Sequence, residues 1–257
     1  MDLLVIVIAS AAASFITLFS GFGLGTMLLP VFALFFPVDA AVALTGIVHL
    51  LTNLFKVSLL GRHADWKVVL SFGLPSVIGA VAGAELLLSL SHLEPLTTYT
   101  LAGREHAVGP LKLVIAILMV AFALAEMRPA ASSYTPSRSL LPLGGVLSGF
   151  FGGLSGHQGA LRSIFLLQYG LPKESFLATG VIIACAVDVT RLSLYADRFT
   201  ASGLLTHWPL LLAAVVSAFA GAYTGNRLLT KVTMRIVQRI VAFLLLLIAA
   251  GLGSGLL

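Results

Sequence analysis

The sequence predicts an all-α polytopic membrane protein of about eight full transmembrane helices and two short half-helices, arranged as a five-plus-five inverted repeat. Three observations predict it. Of 257 residues, 59% are apolar and only 10% charged, whereas a soluble domain of this size carries about a quarter charged residues. The mean hydropathy of +1.06 is spread along the whole chain, which excludes a soluble enzyme with one anchor and a secreted protein with a cleavable leader. Two glycine-rich breaks, SGFGLG at 20–25 and GGLSGHQG at 152–159, each precede an apolar stretch too short to span.

The elements follow in order. Apolar stretches cover 3–20, 24–36, 39–60, 67–90, 111–126, 140–154, 159–169, 175–196, 203–225 and 236–257. The first has no basic run before it and leads into more apolar sequence, so it reads as the first membrane helix. Eight stretches approach the roughly 17 to 25 residues that cross a bilayer, but 24–36 and 159–169 do not, at about 1.5 Å per residue. These two are expected as half-helices or re-entrant segments.

Counting the connectors alternately places Arg62, Lys67, Arg128, Arg138, Lys173, Arg227, Lys231 and Arg235 on one face. The other face holds Arg104, Lys112 and Arg198. The positive-inside rule makes the first face cytoplasmic and both termini external. One integral membrane domain results: a first repeat over 1–127, a cytoplasmic linker over 128–139 and a second repeat over 140–257. The loop 91–109 is external, with no structure assigned to it.

The halves match at a shift of 135 residues. Ser20-Gly21 falls on Ser155-Gly156, Pro37 on Pro172, Asp39 on Glu174, Asn53 on Asp188 and Lys56 on Arg191. Farther along, the shift lengthens and Gly79/Gly83 fall on Gly221/Gly225. An odd number of segments per half inverts the second copy, and inverted repeats with interrupted helices mark secondary transporters whose substrate sits near the midplane. The later glycine pairs read as small-residue helix packing.

Charge inside a bilayer is costly, so each buried ion needs a reason. Lys56, Arg162, Asp188 and Arg191 stand out, three cations against one anion, which favours an anionic cargo. His49, Asn53 and Lys56 share one helix face; Lys56 alternatively snorkels to the interface. Asp188 and Arg191 repeat the spacing, as a substrate site or as a structural ion pair. Arg162 follows the second break, where its counterpart in the first half is Met27. Unpaired backbone N–H groups at 23–26 and 156–159 would add the partial positive charge of helix N-termini. The candidate substrate-binding set is therefore Ser20, Gly21, Gly23, Gly25, Thr26, Asn53, Lys56, Ser155, Gly156, His157, Gln158, Arg162, Asp188 and Arg191. His157 is also a candidate proton-coupling group.

Other chemistries fare worse. Gly153-Leu154-Ser155-Gly156 matches the G-x-S-G of intramembrane serine proteases, but the only later histidine beyond the adjacent His157 is His207, near the external loop. GFGLGT lacks a strand–crossover context and there is no Walker lysine. One deep carboxylate makes a poor metal cage. The sole cysteine, Cys185, excludes an internal disulfide, and the net charge of +5 shows no basic patch for nucleic acid. No cofactor is implied. The expected partners are a small anion and the lipid bilayer, with room for a coupling proton or ion and for a homo-oligomer.

The first copy reads SGFGLGTMLLPVFALFFPVDAAVALTG and the second SGFFGGLSGHQGALRSIFLLQYGLPKESFLATG. With the later G-A-x-x-G, these resemble the TauE/SafE sulfite exporter family over nearly the whole chain. The resemblance implies a multi-pass permease of the bacterial inner membrane for sulfur-containing anions such as sulfite, sulfonates or sulfoacetate, in export or import. The first break carries fewer glycines than that family's usual run, and His157, Gln158 and Arg162 stand where small or apolar residues are expected. An anion channel is the alternative to a transporter.

Overall fold

The structure, a computed structural model, describes residues 2–17, 24–101, 103–127, 137–167, 169–201, 208–228 and 234–257. Among these residues lie ten α-helices. The two short stretches are short helices: α2 (Leu24–Ala33, 10 residues) and α7 (Gly159–Leu167, 9 residues), each about 15 Å long and half the hydrocarbon thickness. The helix after each one starts on the same signals. α3 (Val38–Leu60) begins behind Pro37 with Asp39 in its first turn, and α8 (Lys173–Ala201) behind Pro172 with Glu174 in its first turn. Proline sets the entry and the carboxylate complements the helix dipole.

α4 (Trp66–Ser91) starts after a 3₁₀ turn at Gly61–His63, with the Asp65 carboxylate accepting from the Lys67 and Val68 N–H groups. The spans Val38–His63, Trp66–Ser91 and Lys173–Ala196 are long and apolar enough to cross a bilayer. α5 (Pro110–Met127), α9 (Trp208–Leu228) and α10 (Met234–Ser254) are of 18 to 21 residues. α1 (Asp2–Thr17) and α6 (Leu141–Ser155) are somewhat shorter.

Helix pairing is dictated by residues without side chains. α4 lies along α6, α9 along α1, α3 against α8 and α5 against α10. At the first contact Gly79 and Gly83 of α4 face the backbone of Val146 and Phe150, while Gly145, Gly149 and Gly153 of α6 face the backbone of Phe72, Ser76 and Ala80. Gly221 of α9 meets Ala11 of α1 in the same way. Small residues let backbones approach where hydrocarbon supplies no hydrophobic drive between helices. The outward side of α4 is the reverse, with Leu74 61% and Ile78 69% exposed, which suits lipid and not water.

One expectation needs addition. The loop 91–109 holds an antiparallel hairpin of β1 (Thr97–Leu101) and β2 (Arg104–Val108), pairing Thr97 with Val108 and Tyr99 with His106. Tyr99 donates to the Ser254 carbonyl and His106 Nδ1 lies 3.3 Å from the Gly255 carbonyl. The hairpin thus sits against the C-terminal end of α10. At the other end of the bundle the Asp65 N–H donates to Thr179 Oγ1 at 2.9 Å, and Arg138 stacks over Tyr169 at 5.0 Å. Arg62, Lys67, Arg138 and Lys173 therefore gather at one end. Most of the linker 128–139, at 128–136, and His207 lie outside the described residues.

Candidate functional site

The second break ends α6 with Gly156 at φ +81°, a left-handed conformation that costs an L-residue roughly 1–2 kcal/mol and glycine little. Its N–H donates to the Gly152 carbonyl at 2.9 Å. It is therefore not one of the unpaired donors expected at 156–159, because it caps α6 instead of opening α7. The break is pinned on both sides: Ser148 Oγ donates to the Gln158 carbonyl at 2.9 Å, and the Tyr195 hydroxyl of α8 donates to the Gly153 carbonyl. The first turn of α2 lies alongside, since a methyl group on Gly25 would sit 3.2 Å from the Gly156 carbonyl oxygen. Thr26 follows in that turn. Ser20, Gly21 and Gly23 lie outside the described residues.

Asp188, fully buried, is the hub. Its Oδ1 accepts from Arg191 Nε at 3.0 Å and from Gln158 Nε2 at 3.3 Å, and its Oδ2 lies 2.6 Å from His49 Nδ1. Gln158 Oε1 accepts in turn from Arg162 Nη1 at 3.2 Å. Asn53 Nδ2 reaches the His49 ring at 3.2 Å. Lys56 is buried and within electrostatic reach of Arg162 and Cys185, so it does not extend to the interface as a snorkelling side chain would. Asn53, Lys56, Gln158, Arg162, Asp188 and Arg191 thus form one polar cluster between α3, α7 and α8.

Arg191 occupies the most constrained place. Its side chain is fully buried. A methyl group on Gly156 would lie 3.0 Å from Nη1, and one on Gly46 of α3 3.0 Å from Nη2, so the outer edge of the guanidinium lies between α3 and the second break. Nη2 is 2.8 Å from Asp188 Oδ1 as an ion pair. Among the described residues, neither Nη1 nor Nη2 has an aligned hydrogen-bond acceptor. Buried donors are paired in all but a few cases, and a buried guanidinium more so. Thr45 Oγ1 and His157 Nε2 are also buried without hydrogen-bond partners. The Thr45 methyl faces Gly25.

Ser155 and His157 are oriented by each other. Ser155 Oγ donates to the Phe151 carbonyl at 3.0 Å and lies 3.0 Å from His157 Nδ1. The imidazole stacks on Phe122 of α5 at 4.9 Å between centroids. No cluster of three or more metal-ligating side chains occurs among the described residues.

Reading by spacing singled out Arg162, while the geometry places Arg191 between Gly46 of α3 and the second break. His49 entered the sequence reading only as a neighbour of Asn53. Its distance from Asp188 in sequence, 139 residues, hid the contact. Phe122 and Tyr195 carried no signal, being aromatic residues in apolar runs, and Thr45-Gly46 entered only as the end of the first quoted copy.

A glycine-paired helical bundle with a buried, predominantly cationic cluster at a helix break defines a multi-pass membrane protein of the transporter class. The family profile of the sulfite exporter TauE/SafE matches residues 6–252. The chain belongs to that family, whose members are transporters and not enzymes. No curated protein and no solved structure matches it.

Proposed function

We propose that this chain is a secondary transporter of the bacterial inner membrane that moves a small sulfur-containing oxyanion, of the sulfite, sulfonate or sulfoacetate class, by alternating access. The observation that carries the reading is the Arg191 guanidinium, fully buried beside Gly156, with Nη1 and, apart from its ion pair with Asp188, Nη2 lacking aligned acceptors among the described residues. An oxyanion would supply those acceptors in charge-assisted hydrogen bonds. Arg162 and Lys56 raise the positive potential on one side of it, His157 Nε2 and the first turn of α2 at Gly25 and Thr26 border it, and Ser155 and Gln158 hold the break in shape. Asp188 positions Arg191, and Asn53 holds the His49 ring beside Asp188. The first-break residues Ser20, Gly21 and Gly23 belong to the same proposed site.

The helix pairing supports eight full spans and two half-helices in a five-plus-five inverted repeat. A shift of five helices turns the α4–α6 contact into α9–α1, and returns α3–α8 and α5–α10 to themselves, as a two-fold axis requires. Gly79 against α6 and Gly221 against α1 are then equivalent contacts. Both termini would be periplasmic, with the basic end of the bundle in the cytoplasm.

Purified protein in liposomes is expected to exchange labelled sulfite above protein-free vesicles, saturably and faster when unlabelled sulfite is present on the opposite side. Arg162→Ala and Lys56→Ala should lower the rate. A rate that rises linearly with concentration and ignores sulfite on the opposite side would instead mark a channel. Exchange no faster than in empty vesicles contradicts both.

A further inference from the structure

We propose that the His49–Asp188 pair is the proton-binding site that couples anion movement to the proton gradient. The inference rests on the anion reading above and adds the coupling ion. His49 lies on α3 and Asp188 on α8, so the contact joins two helices from opposite halves of the chain. Both side chains are nearly or completely inaccessible, and the separation of 2.6 Å between Nδ1 and Oδ2 is at the short end of charge-assisted hydrogen bonds. An imidazole is the side chain that exchanges a proton near neutrality.

The carboxylate connects this proton to the anion. Oδ2 faces His49, and Oδ1 takes Arg191 Nε and Nη2. With His49 neutral, Asp188 offsets the charge of Arg191 and weakens the hold of its outer Nη groups on an anion. A proton on His49 draws the carboxylate charge to the imidazolium and leaves the guanidinium a stronger anion site. Linkage is reciprocal, so proton and anion binding at this site favour each other by the same factor. One proton bound at Nδ1 or Nε2 travels with one monoanion, and no net charge crosses the low-dielectric interior, where uncompensated charge is costly.

Among the described residues, the titratable groups around the pair are few. On α8, Cys185 and Tyr195 are in electrostatic contact with Asp188. Arg162 of α7 also senses Asp188, and His157 at the break senses Arg191. Lys56 follows on α3, two helical turns after His49. α2 has no titratable side chain, and on α4 and α9 the described ones, Lys67, Glu85 and Tyr223, are exposed.

Proteoliposomes loaded at alkaline pH and diluted into acid or alkaline medium with labelled sulfite test this. Initial rates are taken over protein-free vesicles, beside tracer exchange at equal sulfite and equal pH on both sides. In wild type, the acid medium should speed uptake about fivefold or more, the low end of typical coupling. His49→Gln, which is neutral, and His49→Lys, which is always charged, should both lose the acceleration while retaining measurable tracer exchange, with a lower sulfite affinity in His49→Gln than in His49→Lys. Acceleration persisting in either variant, or missing from a wild type that exchanges sulfite, overturns the coupling site while leaving the anion reading intact. A wild type that exchanges no sulfite overturns the anion reading, and the coupling with it.

Discussion

Arg191→Lys is expected to fold and insert, yet to exchange sulfite about tenfold to a hundredfold more slowly than wild type, the cost of about one charge-assisted hydrogen bond. Lysine keeps a positive charge beside Asp188, so the variant avoids the roughly 3–5 kcal/mol that follows when one member of a buried ion pair is removed. What it loses is the planar fork. In wild type, Nε and Nη2 engage Asp188 while the outer edge faces Gly156 and Gly46; a single ammonium cannot serve the carboxylate and an anion with the same geometry. Tracer exchange in liposomes, normalised to inserted protein, measures the effect. Wild-type exchange in Arg191→Lys would mean that the guanidinium serves only the Asp188 pair.

The largest effect on stability is expected at Gly149. An alanine methyl there would fall 1.9 Å from the Ser76 carbonyl oxygen and 2.7 Å from its Cα. These are backbone atoms, so no rotamer change relieves the clash and α6 must move away from α4. Overpacking costs about 1–3 kcal/mol where side chains can yield, and here the displacement also opens the neighbouring contacts at Gly79, Gly83, Gly145 and Gly153. Gly149→Ala should therefore lose at least about 3 kcal/mol, seen as a large fall in Tm and in the yield of monodisperse protein. Gly73→Ala is the contrast on α4. Its methyl would meet Ile183 Cγ1 at 3.5 Å, an ordinary contact, and its Tm should stay near wild type. Equal Tm values for the two variants would contradict the close approach of these helices.

Much of this was legible in the sequence because breaks and charges are conspicuous in an apolar chain. The starts of α2 at Leu24 and α7 at Gly159 coincide with the ends of the two glycine runs. The Asp188–Arg191 pair is local, three residues apart on one helix, and needed no knowledge of packing. The His49–Asp188 contact did, because an apolar helix shows no periodicity that selects its partner; in a bilayer that choice is made by close backbone approach. The seat of Arg191 against Gly156 was hidden for the same reason. The 135-residue shift pairs Arg191 with Lys56, but only the seating of α8 brings it to Gly156. The hairpin did have a signal. Thr97-Thr98-Tyr99-Thr100 is rich in β-branched and aromatic residues, with Gly103 just after it, the pattern of a strand and its turn.

The most direct test of the central claim is a structure of the protein with selenite, a heavier analogue of sulfite, located by the anomalous scattering of selenium. The account predicts a peak beside Gly156 with its oxygens within about 3 Å of Arg191 Nη1 and Nη2, the ordinary reach of an N–H to oxygen hydrogen bond. A selenite-saturated structure with selenium only elsewhere, or with none in the membrane interior, would contradict it.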